Sequence, residues 1–198
     1  MMINPYSFLF ITYLVSSIPF GLLLAKVFGN KDIREHGSKN IGATNVTRVL
    51  GKKLGFVTLI LDALKGAVMV ILAKKIFGLA DVNNVVLLTA LVAVIGHIFP
   101  IYLRFKGGKG VATTIAVILA INPILGIATI IFWLLIFWFS RISALSSIFS
   151  ILLTTSFAFG SNIAIKEVIL YLALWILIVI RHKENIIRLK NGTEKQIK

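Results

Sequence analysis

Apolar stretches of roughly membrane-crossing length recur along almost the whole chain, at about 6–28, 54–78, 84–103, 111–121, 123–140, 142–160 and 163–181. Seven such stretches in 198 residues leave no room between them for a separate soluble domain. The predicted fold is an all-α polytopic membrane protein of about seven transmembrane helices, some short, forming one domain over residues 1–198, with cytoplasmic loops forming the site. A content of 58% apolar and 14% charged residues lies far outside the balance of soluble domains and points the same way. The stretch 111–121 is short: at about 1.5 Å per residue it does not reach across a hydrocarbon core about 30 Å thick, and it meets Asn122-Pro123 at its far end. It reads as a half-helix or a tightly paired short span, so five full crossings stand as the alternative to seven. No fixed-period repeat or low-complexity tract interrupts the pattern.

Charge sets the expected orientation. Sixteen of the 21 Lys and Arg residues fall in 29–53, in 104–110, at Arg141 and from Arg181 onward, whereas the opposite side holds Lys74, Lys75 and Lys166. Lys26 and Lys65 lie inside apolar stretches. Basic residues favour the cytoplasmic side, so the N-terminus is expected outside and the C-terminus inside. The first stretch has no basic region before it and no small-residue cleavage site behind it, which favours an anchor over a cleaved signal peptide. A net charge of +14 segregated in this way points to membrane lipids rather than nucleic acid. With no cysteine, thiolate chemistry, disulfides and cysteine-ligated zinc are excluded, and the scattered His36, His97 and His182 make a poor metal set. Neither a metal nor a cofactor is expected.

The polar residues gather in three blocks on the expected cytoplasmic side. The first is "HGSKNIGATNVTR" (36–48), where Ser38, Asn40, Thr44 and Asn45 offer neutral hydrogen-bonding groups beside Arg48. Thr44 or Asn45 would also serve as the cap of a following helix, aiming free amides at an anion. An ordinary capped loop is the alternative. The second is "GHIFPIYLRFKGGKGVATT" (96–114): Gly107, Gly108 and Gly110 would let successive amides point at one oxyanion while Lys109 adds a full charge. It is not the nucleotide P-loop, because Leu103 stands where that motif needs glycine and Gly110 where it needs Ser or Thr. A basic loop on anionic headgroups would explain the lysines but not three glycines. The third is "RHKENIIRLKNGTE" (181–194), where Arg181, His182, Asn185 and Arg188 share a helical face, with Lys190, Lys195 and Lys198 read as a membrane-surface anchor.

Inside the apolar stretches, Asp62 and Lys65 are three residues apart on one helix face, a spacing that suits an ion pair or one wall of a polar cavity. His97 reads as a buried, hydrogen-bonded histidine. Asn122-Pro123 reads as a turn, and Trp133, Trp138 and Trp175 as packing or interface residues.

Taken in order, "SIPFG" (17–21), "GSKNIGATNVTR" (37–48), "LDALKG" (61–66), "GHIFPIYLRFKGGKGVAT" (96–113) and "RHKENIIRLKNGTE" (181–194) resemble the bacterial acyl-phosphate-dependent glycerol-3-phosphate acyltransferases. The resemblance implies transfer of a fatty acyl group from acyl phosphate to the 1-hydroxyl of glycerol 3-phosphate at the cytoplasmic membrane surface of a bacterium, giving lysophosphatidic acid and phosphate. It also implies that Ser38, Arg48, Lys109, His182 and Asn185 hold substrate phosphates or assist the chemistry. One departure is visible, since Lys39 replaces the glycine of the family's frequent "GSGN" form.

Acyl phosphate is already activated, so positioning and stabilisation of developing charge suffice for much of the catalysis. The base for the attacking hydroxyl is either His182 or a phosphate oxygen of a bound substrate. The H-x-x-x-x-D signature of other acyltransferases is absent, because Ile41, Tyr102 and Ile187 stand five residues after the three histidines. The alternative function is transport of a phosphorylated solute, which would favour polar groups near the bilayer midplane and paired repeats.

Overall fold

The computed structural model describes residues 3–78, 82–194 and 196, without the side chains of 82–84. Lys195 and Lys198, read above as surface anchors, lie outside the described residues. The chain is all-α and divides into two compact units, Met1–Val117 and Ile118–Lys198.

The first unit contains α1 (Pro5–Ser16), α2 (Phe20–Gly29), α3 (Ala43–Leu50), α4 (Lys52–Phe77), α5 (Val82–Ile98) and the beginning of α6 (Val111–Ile121). The single stretch expected over 6–28 is broken between α1 and α2. Pro19 has no N–H to continue the ladder, and its ring disfavours helix at the preceding residue. The break releases the Ile18 carbonyl, which accepts a hydrogen bond from Lys65 Nζ at 2.9 Å. Within this unit α4 packs against α1, α2, α3 and α5, and α1 packs against α5. The Tyr13 hydroxyl donates to the Phe99 carbonyl at 2.7 Å and fixes the end of α5 to α1.

The second unit continues from α6 through α7 (Pro123–Ser140), α8 (Ser143–Phe159), α9 (Ile165–Arg181) and α10 (Lys183–Lys190). Asn122 caps α7 by accepting the Leu125 N–H at 3.2 Å, with Pro123 in the first turn, where its missing N–H costs nothing. Helix association inside lipid relies on close packing and interhelical hydrogen bonds. Here the Thr129 and Thr154 hydroxyls meet at 2.8 Å, Trp133 Nε1 donates to Ser147 Oγ at 3.1 Å, and Trp175 Nε1 donates to the Ile148 carbonyl at 3.2 Å.

Among the described residues, four helical stretches are long and apolar enough to cross a membrane: Pro5–Gly29, Lys52–Phe77, Val85–Leu103 and Pro123–Ser140. Val111–Ile121 and Ser143–Phe159 are shorter apolar helices, and α9 has 17 residues. Large side chains such as Phe10, Val27, Phe56, Ile124, Phe139 and Phe159 are exposed. That outward apolar surface suits a hydrocarbon solvent, where each helix satisfies its own backbone.

Candidate functional site

In the first unit, residues 30–42 link α2 to α3 and are built around Asn45. Its side chain is buried at 1% exposure. The two Nδ2 hydrogens are shared among the carbonyls of Ile33 (3.2 Å), His36 (3.0 Å) and Asn40 (2.8 Å), and Oδ1 accepts the Ser38 N–H at 2.7 Å. One side chain thus holds four backbone groups of the loop. This corrects the expectation that Asn45 binds phosphate: its polar atoms are turned into the protein, and it positions Ser38 and Asn40 instead. The cap expectation is corrected as well, because Gly42 is the N-cap of α3 and both Thr44 and Asn45 lie inside the helix. Asn40 contributes an Asx turn, accepting the Gly42 N–H at 2.8 Å.

Ser38, Thr44 and Arg48 are exposed, with Thr44 and Arg48 one turn apart on α3. Lys39 adopts φ 59°, the left-handed conformation that costs little for glycine and about 1–2 kcal/mol for other residues. The loop therefore follows a path suited to glycine although lysine occupies it. Nearby, Arg34 binds both Asp32 oxygens, and that hydrogen bonding holds the Asp32 carboxyl well below the usual range.

Block two doubles back on α5. Gly107 N–H donates to the Ile98 carbonyl at 3.1 Å and Gly108 N–H to the His97 carbonyl at 3.2 Å. The expectation that these two amides converge on one oxyanion is corrected: they are spent on the end of α5. Glycine is needed at 108 for closeness, since a Cβ there would collide with the His97 imidazole. Gly110 is needed for conformation, with φ 85° immediately before α6. Lys109 stands between these two fixed glycines, half-buried. Arg104 and Phe105 are both left-handed, at φ 50° and 62°, a strain the sequence did not announce. Leu103 packs on the buried cluster of Leu22, Ala25, Ile33, Ile41 and Val46, so the first two blocks adjoin the same apolar support.

Beneath block two lies a buried polar trio. Lys65 Nζ is 2.7 Å from Asp62 Oδ1, and His97 Nδ1 is 3.6 Å from the same oxygen. The Asp62 backbone carbonyl accepts the Thr113 hydroxyl at 2.8 Å. The pairing expected for Asp62 and Lys65 is present, and His97 is buried beside it.

In the second unit, His182 ends α9 and begins α10, with 2% exposure. Its Nδ1 lies 2.8 Å from the Ile178 carbonyl. A carbonyl only accepts, so Nδ1 is the donor in this contact. Asn185 Nδ2 and Arg188 Nε both donate to Glu194, each at 2.7 Å. Sequence reasoning missed Glu194; the signal available was a carboxylate closing a basic block.

An all-helical integral membrane protein with glycine-rich, cationic loops at its helix ends is the class that fold and site define. The chain belongs to the glycerol-3-phosphate acyltransferase family, whose family model, described as "Glycerol-3-phosphate acyltransferase", matches residues 6–192. A protein of that name from Dinoroseobacter shibae is 48% identical over 185 residues, covering 93% of this chain and 89% of the relative. Another from Ehrlichia canis is 45% identical over 191 residues, covering 96% and 97% respectively. Among solved structures, PlsY (YgiH), an integral membrane glycerol 3-phosphate acyltransferase, is similar in its glycerol 3-phosphate form. The TM-score is 0.92 at 38% identity, covering 98% of this chain and 96% of that one. Its lysophosphatidic acid form has a TM-score of 0.89 at 37% identity, covering 98% and 95%.

Proposed function

We propose that this chain transfers a fatty acyl group from acyl phosphate to the 1-hydroxyl of glycerol 3-phosphate, giving lysophosphatidic acid and inorganic phosphate as the first acylation of phospholipid synthesis. The observation that carries this reading is likeness over 98% of the chain to a structure captured in its glycerol 3-phosphate form. The chain works as a single catalytic domain in the bacterial cytoplasmic membrane, with its N-terminus outside and the reacting loops and C-terminus in the cytoplasm. The concentration of Lys and Arg in residues 29–53, 104–110 and from 181 onward supports that orientation.

In the reaction the glycerol hydroxyl oxygen attacks the acyl carbonyl carbon. The bond from that carbon to the phosphate oxygen then breaks, and phosphate leaves with the electron pair. The hydroxyl proton passes to His182 Nε2 or to a phosphate oxygen of a bound substrate. Lys109 and Arg48 neutralise phosphate charge, and the exposed Ser38 and Thr44 add hydroxyl donors. Asn185, held by Glu194, assists at the third block. Gly107, Gly108 and Gly110 shape the backbone that carries Lys109.

The test is turnover by purified protein in liposomes. Glycerol 3-phosphate with acyl phosphate should yield lysophosphatidic acid, and omission of either should abolish it. No product with both substrates present would overturn the reading.

A further inference from the structure

Asp62 touches both flanks of the loop that presents Lys109. On the N-terminal side, its carboxylate lies 3.6 Å from His97 Nδ1. The His97 carbonyl accepts the Gly108 N–H at 3.2 Å, and the imidazole fills the space a Cβ at 108 would need. On the C-terminal side, the Asp62 backbone carbonyl accepts the Thr113 hydroxyl at 2.8 Å, in the first turn of α6. Lys65 holds the carboxylate at 2.7 Å and is itself tied to the Ile18 carbonyl at the α1–α2 break. Asp62, Lys65 and His97 are all nearly inaccessible to solvent, at 3%, 6% and 4%.

A charged pair inside a membrane-spanning helix is expensive, and Asp62 and Lys65 stand three apart on the same α4, so packing of α4 alone does not call for it. Such a pair is rigid, however: its carboxylate faces His97 before a glycine-rich loop with little stiffness of its own, while the main-chain carbonyl of the same Asp62 takes the Thr113 hydroxyl after it. We propose that Asp62 is a positioning residue for Lys109, acting through His97 before the loop and Thr113 after it. Lys65 orients the carboxylate. None of the three needs to touch a substrate. The inference rests on the acyltransferase reading for its kinetic consequences, while its mechanical content is independent of the reaction.

The experiment compares Thr113→Val, Thr113→Ser and Asp62→Asn, each alone and combined with Lys109→Ala. Thr113→Val keeps side-chain shape and removes the hydroxyl, so it is the variant expected to stay folded; Thr113→Ser restores the hydroxyl. Two quantities are read: kcat/KM for glycerol 3-phosphate, and amide hydrogen exchange in residues 106–110. Thr113→Val and Asp62→Asn should each lower kcat/KM about tenfold or more and speed exchange of the Gly107 and Gly108 amides, with α7 and α8 unchanged. Thr113→Ser should behave nearly as the parent. With Lys109 already removed, the same substitutions should cost less than about twofold.

Equal fractional losses with and without Lys109, or unaltered exchange at 106–110, would overturn the positioning role. A parent protein that makes no product, yet shows faster loop exchange in Thr113→Val and Asp62→Asn, would uphold the mechanical coupling and sink the acyltransferase reading instead.

Discussion

Asn45 Oδ1 accepts the backbone N–H of Ser38 at 2.7 Å, which makes a buried helix residue the anchor of a loop seven positions earlier in the chain. Asn45→Ala leaves three backbone carbonyls and one amide without that partner, a loss of about 2–4 kcal/mol when a buried network is opened. The expected outcome is a lower thermal midpoint and a raised KM for glycerol 3-phosphate. Asn45→Asp should be at least as harmful, because a carboxylate would face the Ile33, His36 and Asn40 carbonyls. Thermal denaturation in detergent together with substrate titration checks both.

Lys39 occupies a left-handed backbone position with φ 59°. Lys39→Gly should relieve strain and raise stability by about 0.5–1 kcal/mol, with activity retained within about threefold. Lys39→Val should lower stability, since a β-branched side chain tolerates that conformation worst. A thermal-shift series with parallel activity measurements distinguishes these outcomes.

Lys109 and Lys106 separate a phosphate-binding loop from a lipid-facing basic patch. Lys109→Ala should lose an ionic hydrogen bond worth about 2–4 kcal/mol, or roughly 30- to 1000-fold in rate, at unchanged expression. Lys106→Ala, at an exposed position, should lose little. Gly108→Val should be as damaging as Lys109→Ala, because its side chain would enter the space of His97. Initial rates of the four proteins at matched membrane content test the contrast.

Glu194 joins Asn185 to Arg188, with each donor at 2.7 Å. Glu194→Gln would keep an acceptor for one donor and present an N–H to the other. It should therefore fall between the parent and Glu194→Ala in both stability and rate, the alanine losing about 2–3 kcal/mol. Thermal midpoints and initial rates measured side by side check that order.

The architecture was largely legible because helices crossing lipid need long apolar runs, and α4, α5, α7 and α8 follow the runs read from the sequence. The exception was the first run, where Pro19 divides the helix that hydropathy treats as continuous. The three blocks were visible as polar islands, but their internal roles were not. Asn45 resembles a ligand-facing residue until the loop path places three carbonyls around it. Likewise, glycines at 107 and 108 suggest an amide nest, whereas the backbone uses them to approach α5. The link from Asp62 to His97 and Thr113 joins residues too distant in the chain for local spacing to reveal.

The most direct measurement of the central claim is the stoichiometry of products from purified protein in liposomes, supplied with glycerol 3-phosphate and either acyl phosphate or acyl-CoA of the same chain length. With acyl phosphate, lysophosphatidic acid and inorganic phosphate should appear one to one, and with acyl-CoA neither lysophosphatidic acid nor free coenzyme A should accumulate. Faster formation of lysophosphatidic acid from acyl-CoA, with release of coenzyme A, would contradict the account.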